Sequence, residues 1–178
     1  MTDEEQYEAA LKFATAKHNG QFRIGGLPYI THPIAVSEIV KAKGGDINAR
    51  ITALFHDLLE DTDATEEEIL KYSNKDVLNS VKLLTKKKGY VMKEYVAGIK
   101  SDKIAFLVKG ADRLHNLRTA KCTDTEFKRR YIYETIDWYL DFMPEIPLAV
   151  RELTQTLEKP LQDLPFLYEP IENWKILK

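Results

Sequence analysis

Between Ile51 and Thr62 the chain reads Ile-Thr-Ala-Leu-Phe-His-Asp-Leu-Leu-Glu-Asp-Thr, which sets four titratable side chains among large apolar ones. If the run is helical, His56 and Glu60 are one turn apart, as are Asp57 and Asp61, and all four can edge one surface. Ile51, Leu54, Phe55, Leu58 and Leu59 make most of that helix apolar, so it belongs in an interior. Carboxylates there need a metal ion or hydrogen-bonding partners. Any fold of this chain must therefore bring complementary groups to this helix from elsewhere.

The rest of the sequence points to helices. Thr2 with Glu5 forms a capping-box pair, and Tyr7, Leu11 and Ala14 follow helical spacing to about His18. Asn19 to Pro28 is a loop with Gly20, Gly25 and Gly26, and it carries Arg23. Pro33 suits the first position of a helix that stops at Gly44-Gly45, with His32 at its entrance. Asp46 can cap the Ile51 helix, and Thr65 with Glu68 opens a short one ending near Lys71. Ser73 or Asn74 starts the next, with Lys86, Lys87 and Lys88 at its close as solvated surface. Further helices are predicted from Val91 to Ile99 and after Ser101-Asp102. Others should run from Asp124 to about Phe142, and from Leu148 to Leu157. No strand alternation is evident, so the class is all-α, a single domain over residues 1–160 with a tail at 161–178. That tail, rich in Phe166, Leu167, Tyr168 and Trp174, should pack on the domain or on a neighbouring subunit of a homo-oligomer.

Net charge of -2 and a pI near 6.1 argue against a general nucleic-acid-binding surface. No apolar run is long enough to span a membrane, and the polar start is unlike a signal peptide, which suggests a cytoplasmic protein. Cys122, the only cysteine, leaves no internal disulfide and no cysteine cluster for a structural zinc. His32, His56, Asp57 and Asp112 each lie beside residues that draw them inward. Two imidazoles and two carboxylates suit a divalent ion such as Mn²⁺, Fe²⁺, Co²⁺ or Zn²⁺.

Four separated pieces, His18-Asn19-Gly20-Gln21, Pro28-Tyr29-Ile30-Thr31-His32-Pro33, His56-Asp57-Leu58-Leu59-Glu60-Asp61-Thr62 and Lys109 to Thr119, resemble the hydrolase domain of the RelA/SpoT alarmone enzymes in content and order. That family is a branch of the HD superfamily, and the resemblance implies an all-α HD-domain helical bundle. It also implies Mn²⁺-dependent removal of the 3′-pyrophosphate of (p)ppGpp, with one ion held by His32, His56, Asp57 and Asp112 and with Glu60 and Asp61 as the catalytic pair. Asn116 and Thr119, on one helix face with Asp112, match positions lining the nucleotide pocket. Arg23 matches an arginine stacked on the purine. Arg129 and Tyr133, one turn apart, are further candidates for substrate contact, and Arg130 shares that segment. Tyr29 reads as fixing the loop before His32, while His18 and His115 read as non-catalytic. Ile24 replaces a basic residue common in the family, which leaves (p)ppApp or the 2′-phosphate of NADPH open as substrates. A non-catalytic alarmone sensor is the alternative from another class.

Overall fold

The structure is a computed structural model that describes all residues, 1–178. The chain divides into two units, Met1–Asp112 and Arg113–Lys178. The first contains α1 (Asp3–Lys17), α2 (Thr31–Ala42), α3 (Ile47–Phe55), α4 (Leu58–Asp61), α5 (Glu66–Lys71), α6 (Lys75–Leu84), α7 (Met92–Lys100) and most of α8 (Lys103–Thr119). The second contains the end of α8, α9 (Thr125–Trp138), α10 (Ile146–Thr154) and short 3₁₀ turns. There is no strand, and the one isolated bridge pairs Phe22 with Pro28. The all-α expectation holds.

Caps explain where the helices of the first unit begin. Thr2 and Glu5, and again Thr65 and Glu68, close reciprocal capping boxes. Asp46, Asn74 and Asp102 accept from backbone N–H groups at the starts of α3, α6 and α8. The core assembles on α3, which packs against α1, α2 and α6. Ile51, Ala53, Leu54 and Phe55 are all buried, as is Thr52, whose hydroxyl donates to the Asn48 carbonyl. A helix apolar on every side is stable only when enclosed, and α3 is enclosed. Phe13 of α1 meets Phe55 edge-on and stacks on Tyr72, with ring centroids 5.5 and 4.5 Å apart.

Four boundaries differ from expectation. The helix expected to carry His56 to Asp61 unbroken stops at Phe55, and α4 resumes at Leu58 after the turn formed by His56 and Asp57. Asp57 has φ -101° and ψ -3°, the bridge conformation common among active-site residues. Pro33 is the third residue of α2 rather than the first; it is tolerated there because first-turn N–H groups lack intrahelical acceptors. α9 ends at Trp138, since Tyr139, Leu140, Phe142 and Met143 leave the helix and become buried in turns. α10 spans Ile146–Thr154, with Pro147 in its first turn, so it begins and ends earlier than predicted.

In the second unit, Arg113 lies with its Cζ 4.1 Å from the ring centroids of both Tyr131 and Tyr139. Its Nη2 donates to Glu134 Oε1 at 2.7 Å. Residues 161–178 are held by buried Leu161, Leu167 and Trp174, and Tyr133 donates its hydroxyl to Asp163.

The end of α2 offers a direct check of packing. Gly44 adopts φ +83°, and a Cβ on Gly45 would lie 2.4 Å from Val40 Cγ1 and 2.9 Å from the Val40 carbonyl oxygen. Gly45→Ala should destabilise the protein by about 1–3 kcal/mol through overpacking against backbone, read as a lower urea midpoint with unchanged slope.

Candidate metal centre

The first turn of α2, the turn after α3 and the middle of α8 each deliver a side chain to one buried spot. His32 Nε2 stands 3.0 Å from Asp112 Oδ1. His56 Nε2 stands 2.9 Å from Asp57 Oδ2 and 3.7 Å from Asp112 Oδ1. The ligand atoms of His32, His56 and Asp57 all lie within 4.8 Å of one another, as do those of Asp57, Glu60 and Asp61. Asp57 therefore joins two groups, the buried histidines and the exposed acids.

Does this spot suit a cation? Donors held about 2.0–2.2 Å from one ion stand roughly 3–3.5 Å apart; the two closest pairs here stand 3.0 and 2.9 Å apart, and His56 and Asp112 stand 3.7 Å apart. His56 Nδ1 donates to the Ala53 carbonyl at 2.7 Å, so Nε2 is the nitrogen left to act as ligand. That Nε2 is buried with no hydrogen-bond partner, because the neighbouring carboxylate oxygens are close but poorly aligned. An orphaned imidazole nitrogen facing two carboxylates fits a divalent ion.

Burial pushes the His32 imidazole below its usual value, so it is neutral. Burial acts the same way on His56, but Asp57 and Asp112 outweigh it and hold His56 well above the usual range. Burial would raise the Asp57 and Asp112 carboxyls. His56 overrides it for Asp57, and Lys109 with the two histidines overrides it for Asp112, so both carboxyls are depressed. At the rim, partial loss of hydration raises both Glu60 and Asp61, with the Asp57 charge adding to it. The Lys86 N–H donates to Glu60 Oε1 at 3.0 Å.

The remaining predicted residues are distributed differently. Arg23 places its Cζ 5.9 Å from the Tyr29 ring centroid, in the hairpin before α2. Asn116 and Thr119 follow Asp112 along α8, and the Thr119 hydroxyl donates to the His115 carbonyl at 3.0 Å. In α9, Arg129 is exposed and Tyr133 bonds Asp163, which commits its hydroxyl to the chain's own tail.

Two contacts escaped the sequence reading. Lys109 Nζ donates to Asp112 Oδ2 at 3.0 Å, a pair signalled only by its i, i+3 spacing in Lys109-Gly110-Ala111-Asp112. Tyr29 does more than fix a loop, since its hydroxyl donates to Asp57 Oδ2 at 2.6 Å.

Residues 10–90 match the family model described as HD domain. The guanosine-3′,5′-bis(diphosphate) 3′-pyrophosphohydrolase of Haemophilus influenzae is 33% identical over 172 residues, covering 90% of this chain and 24% of that protein. A solved structure of a metazoan ortholog of SpoT, described as hydrolysing ppGpp and acting in starvation responses, has a TM-score of 0.70 at 26% identity. It covers 84% of this chain and 94% of that one. The chain is thus similar to RelA/SpoT-type proteins along most of its length, and to HD domains over residues 10–90. The GTP pyrophosphokinase rsh of Brucella ovis is also 33% identical, over 177 residues, covering 93% of this chain and 23% of that protein. The chain spans about a quarter of the length of these curated relatives. No helix in it is long and apolar enough to cross a membrane.

The electrostatics of the centre predict the pH dependence of ion uptake. His56, raised above the usual value of about 6.5, carries a proton that an ion must displace, whereas His32, Asp57 and Asp112 are already deprotonated. Affinity for a divalent ion should therefore rise about tenfold from about pH 6 to about pH 7, measured by titration calorimetry.

Proposed function

We propose that this chain is a metal-dependent phosphohydrolase that removes pyrophosphate from the 3′ position of (p)ppGpp, leaving GDP or GTP. The observation that carries the reading is the junction at Asp57, where a buried His/Asp group meets the exposed pair Glu60 and Asp61. Its support from relatives is the activity named for the Haemophilus influenzae protein and for the metazoan SpoT ortholog.

His32, His56, Asp57 and Asp112 would hold one divalent ion, with Mn²⁺ favoured by the mixed nitrogen and oxygen donors and by the family resemblance. Such an ion supplies Lewis acidity at a phosphoryl oxygen and lowers the pKa of a water. Glu60 and Asp61, whose carboxyls are raised by partial desolvation, would accept that water's proton. Arg23 offers a planar guanidinium for the purine. By the family resemblance, Asn116 and Thr119 would line the nucleotide pocket, and Arg129 and Tyr133 are candidate phosphate contacts. For Tyr133 that contact requires release from Asp163.

Ile24, 65% exposed at the tip of the hairpin, keeps (p)ppApp as a second reading, because an apolar side chain there selects against neither purine. A panel of guanine and adenine alarmones, scored for pyrophosphate against orthophosphate, tests both. No pyrophosphate from any of them with Mn²⁺-loaded protein would refute the hydrolase.

The residue roles make separable predictions. Asp57→Ala should lose both bound metal and turnover. Glu60→Gln should keep metal while kcat falls by about 10²–10⁴-fold, measured by metal analysis beside steady-state kinetics. Equal metal loss in the two variants would remove Glu60 from the role of base.

A further inference from the structure

The hairpin between α1 and α2 touches both ends of α4. At its base the Tyr29 N–H donates to the Gln21 carbonyl at 2.9 Å, so these two residues are paired across the loop. From that pair, the Tyr29 hydroxyl reaches Asp57 Oδ2 at 2.6 Å, at the residue preceding α4. The Gln21 side chain reaches the backbone carbonyl of Asp61, the last residue of α4, at 2.7 Å. A one-turn helix has no internal cooperativity to hold its ends, and its final carbonyls lack intrahelical partners.

Gln21 is itself oriented. Because its Nε2 donates to the Asp61 carbonyl, its Oε1 accepts, and the ring nitrogen 2.7 Å away, His18 Nδ1, is the one that donates to it. His18 is 2% exposed, packs its ring 4.8 Å from that of Tyr29, and has no hydrogen-bond partner at Nε2. The three side chains form one unit.

We propose that Gln21 and Tyr29, with His18 setting the orientation of Gln21, are positioning residues that bracket α4. Tyr29 fixes which oxygen of Asp57 faces the ion, and Gln21 fixes where Glu60 and Asp61 lie relative to it. The inference deepens the metal-hydrolase reading and rests on it for its kinetic part alone.

The test uses the full chain and separates the two ends of the bracket. Tyr29→Phe should weaken Mn²⁺ binding by about 10–100-fold, the usual cost of losing a hydrogen bond to a ligating carboxylate. Gln21→Leu should bind Mn²⁺ within about twofold of the wild type, since it touches no donor of the ion. It should lower kcat about tenfold or more at little-changed KM, and speed hydrogen exchange across residues 58–64 in the Mn²⁺-loaded protein. His18→Asn keeps a donor at the Nδ1 position and should resemble the wild type in kcat and exchange, whereas His18→Gln moves the donor and should resemble Gln21→Leu. Wild-type Mn²⁺ affinity in Tyr29→Phe would overturn the proposal. So would unchanged kcat and exchange in Gln21→Leu, or identical behaviour of the two His18 variants. If wild-type protein binds Mn²⁺ but cleaves no alarmone, the hydrolase reading fails, and the affinity and exchange measurements still decide the bracket.

Discussion

Four ionisable groups, His32, His56, Asp57 and Asp112, converge in the interior, where an unpaired charge costs several kcal/mol. Most of the first unit can be understood as the means of keeping them there. α3 is enclosed by α1, α2 and α6, and that enclosure is what desolvates His56 at its end. His32 is carried by α2, one of the helices that enclose α3, and Asp112 by α8. Replacing such a cluster by apolar residues of similar volume is commonly neutral or stabilising, so stability alone does not account for it. Function does.

The interruption between α3 and α4 follows from the same constraint. A continuous helix would leave the His56 and Asp57 side chains on its own surface, about a hundred degrees apart. The turn instead lets His56 give its Nδ1 proton to Ala53 while Nε2 faces the carboxylates, and it puts Asp57 into the bridge conformation. The acidic end that results is only one helical turn long, so its geometry depends on contacts from outside. The hairpin supplies two of them, through Tyr29 and Gln21. A segment that reads as an irregular loop thereby becomes part of the centre.

Electrostatic asymmetry gives the centre its division of labour. The carboxyls of Asp57, half-buried, and Asp112, buried, are held down by cationic neighbours and stay ionised. The carboxyls of Glu60 and Asp61, a turn away, are raised, because loss of hydration and the Asp57 charge outweigh the pull of their cationic neighbours. Carboxylates of one type thus differ by environment alone, the usual sign of acids assigned to different roles. Lys109 contributes by pairing with Asp112 and by stacking near Tyr95, 6.0 Å from its ring centroid.

Local chemistry was legible in the sequence wherever neighbours in the chain decide the outcome. The capping pairs Thr2-Glu5 and Thr65-Glu68, the stop at Gly44-Gly45 and the all-α class follow from propensity and hydrogen bonding within a few residues. The candidate metal residues were legible as types and spacings. That Asp112 comes within 3.0 Å of His32 and 3.7 Å of His56 depends on the packing of α2, α3 and α8, which no local pattern specifies. The early end of α9 and the partners of Tyr29, Gln21 and Tyr133 belong to the tertiary structure too. Each trades a local preference for a contact made across 28 or more residues of chain, or for burial of a large side chain. Sequence determined which groups were available; only the folded packing, by excluding water around some of them, decided which imidazoles and carboxylates meet in the interior and which remain acids at the rim.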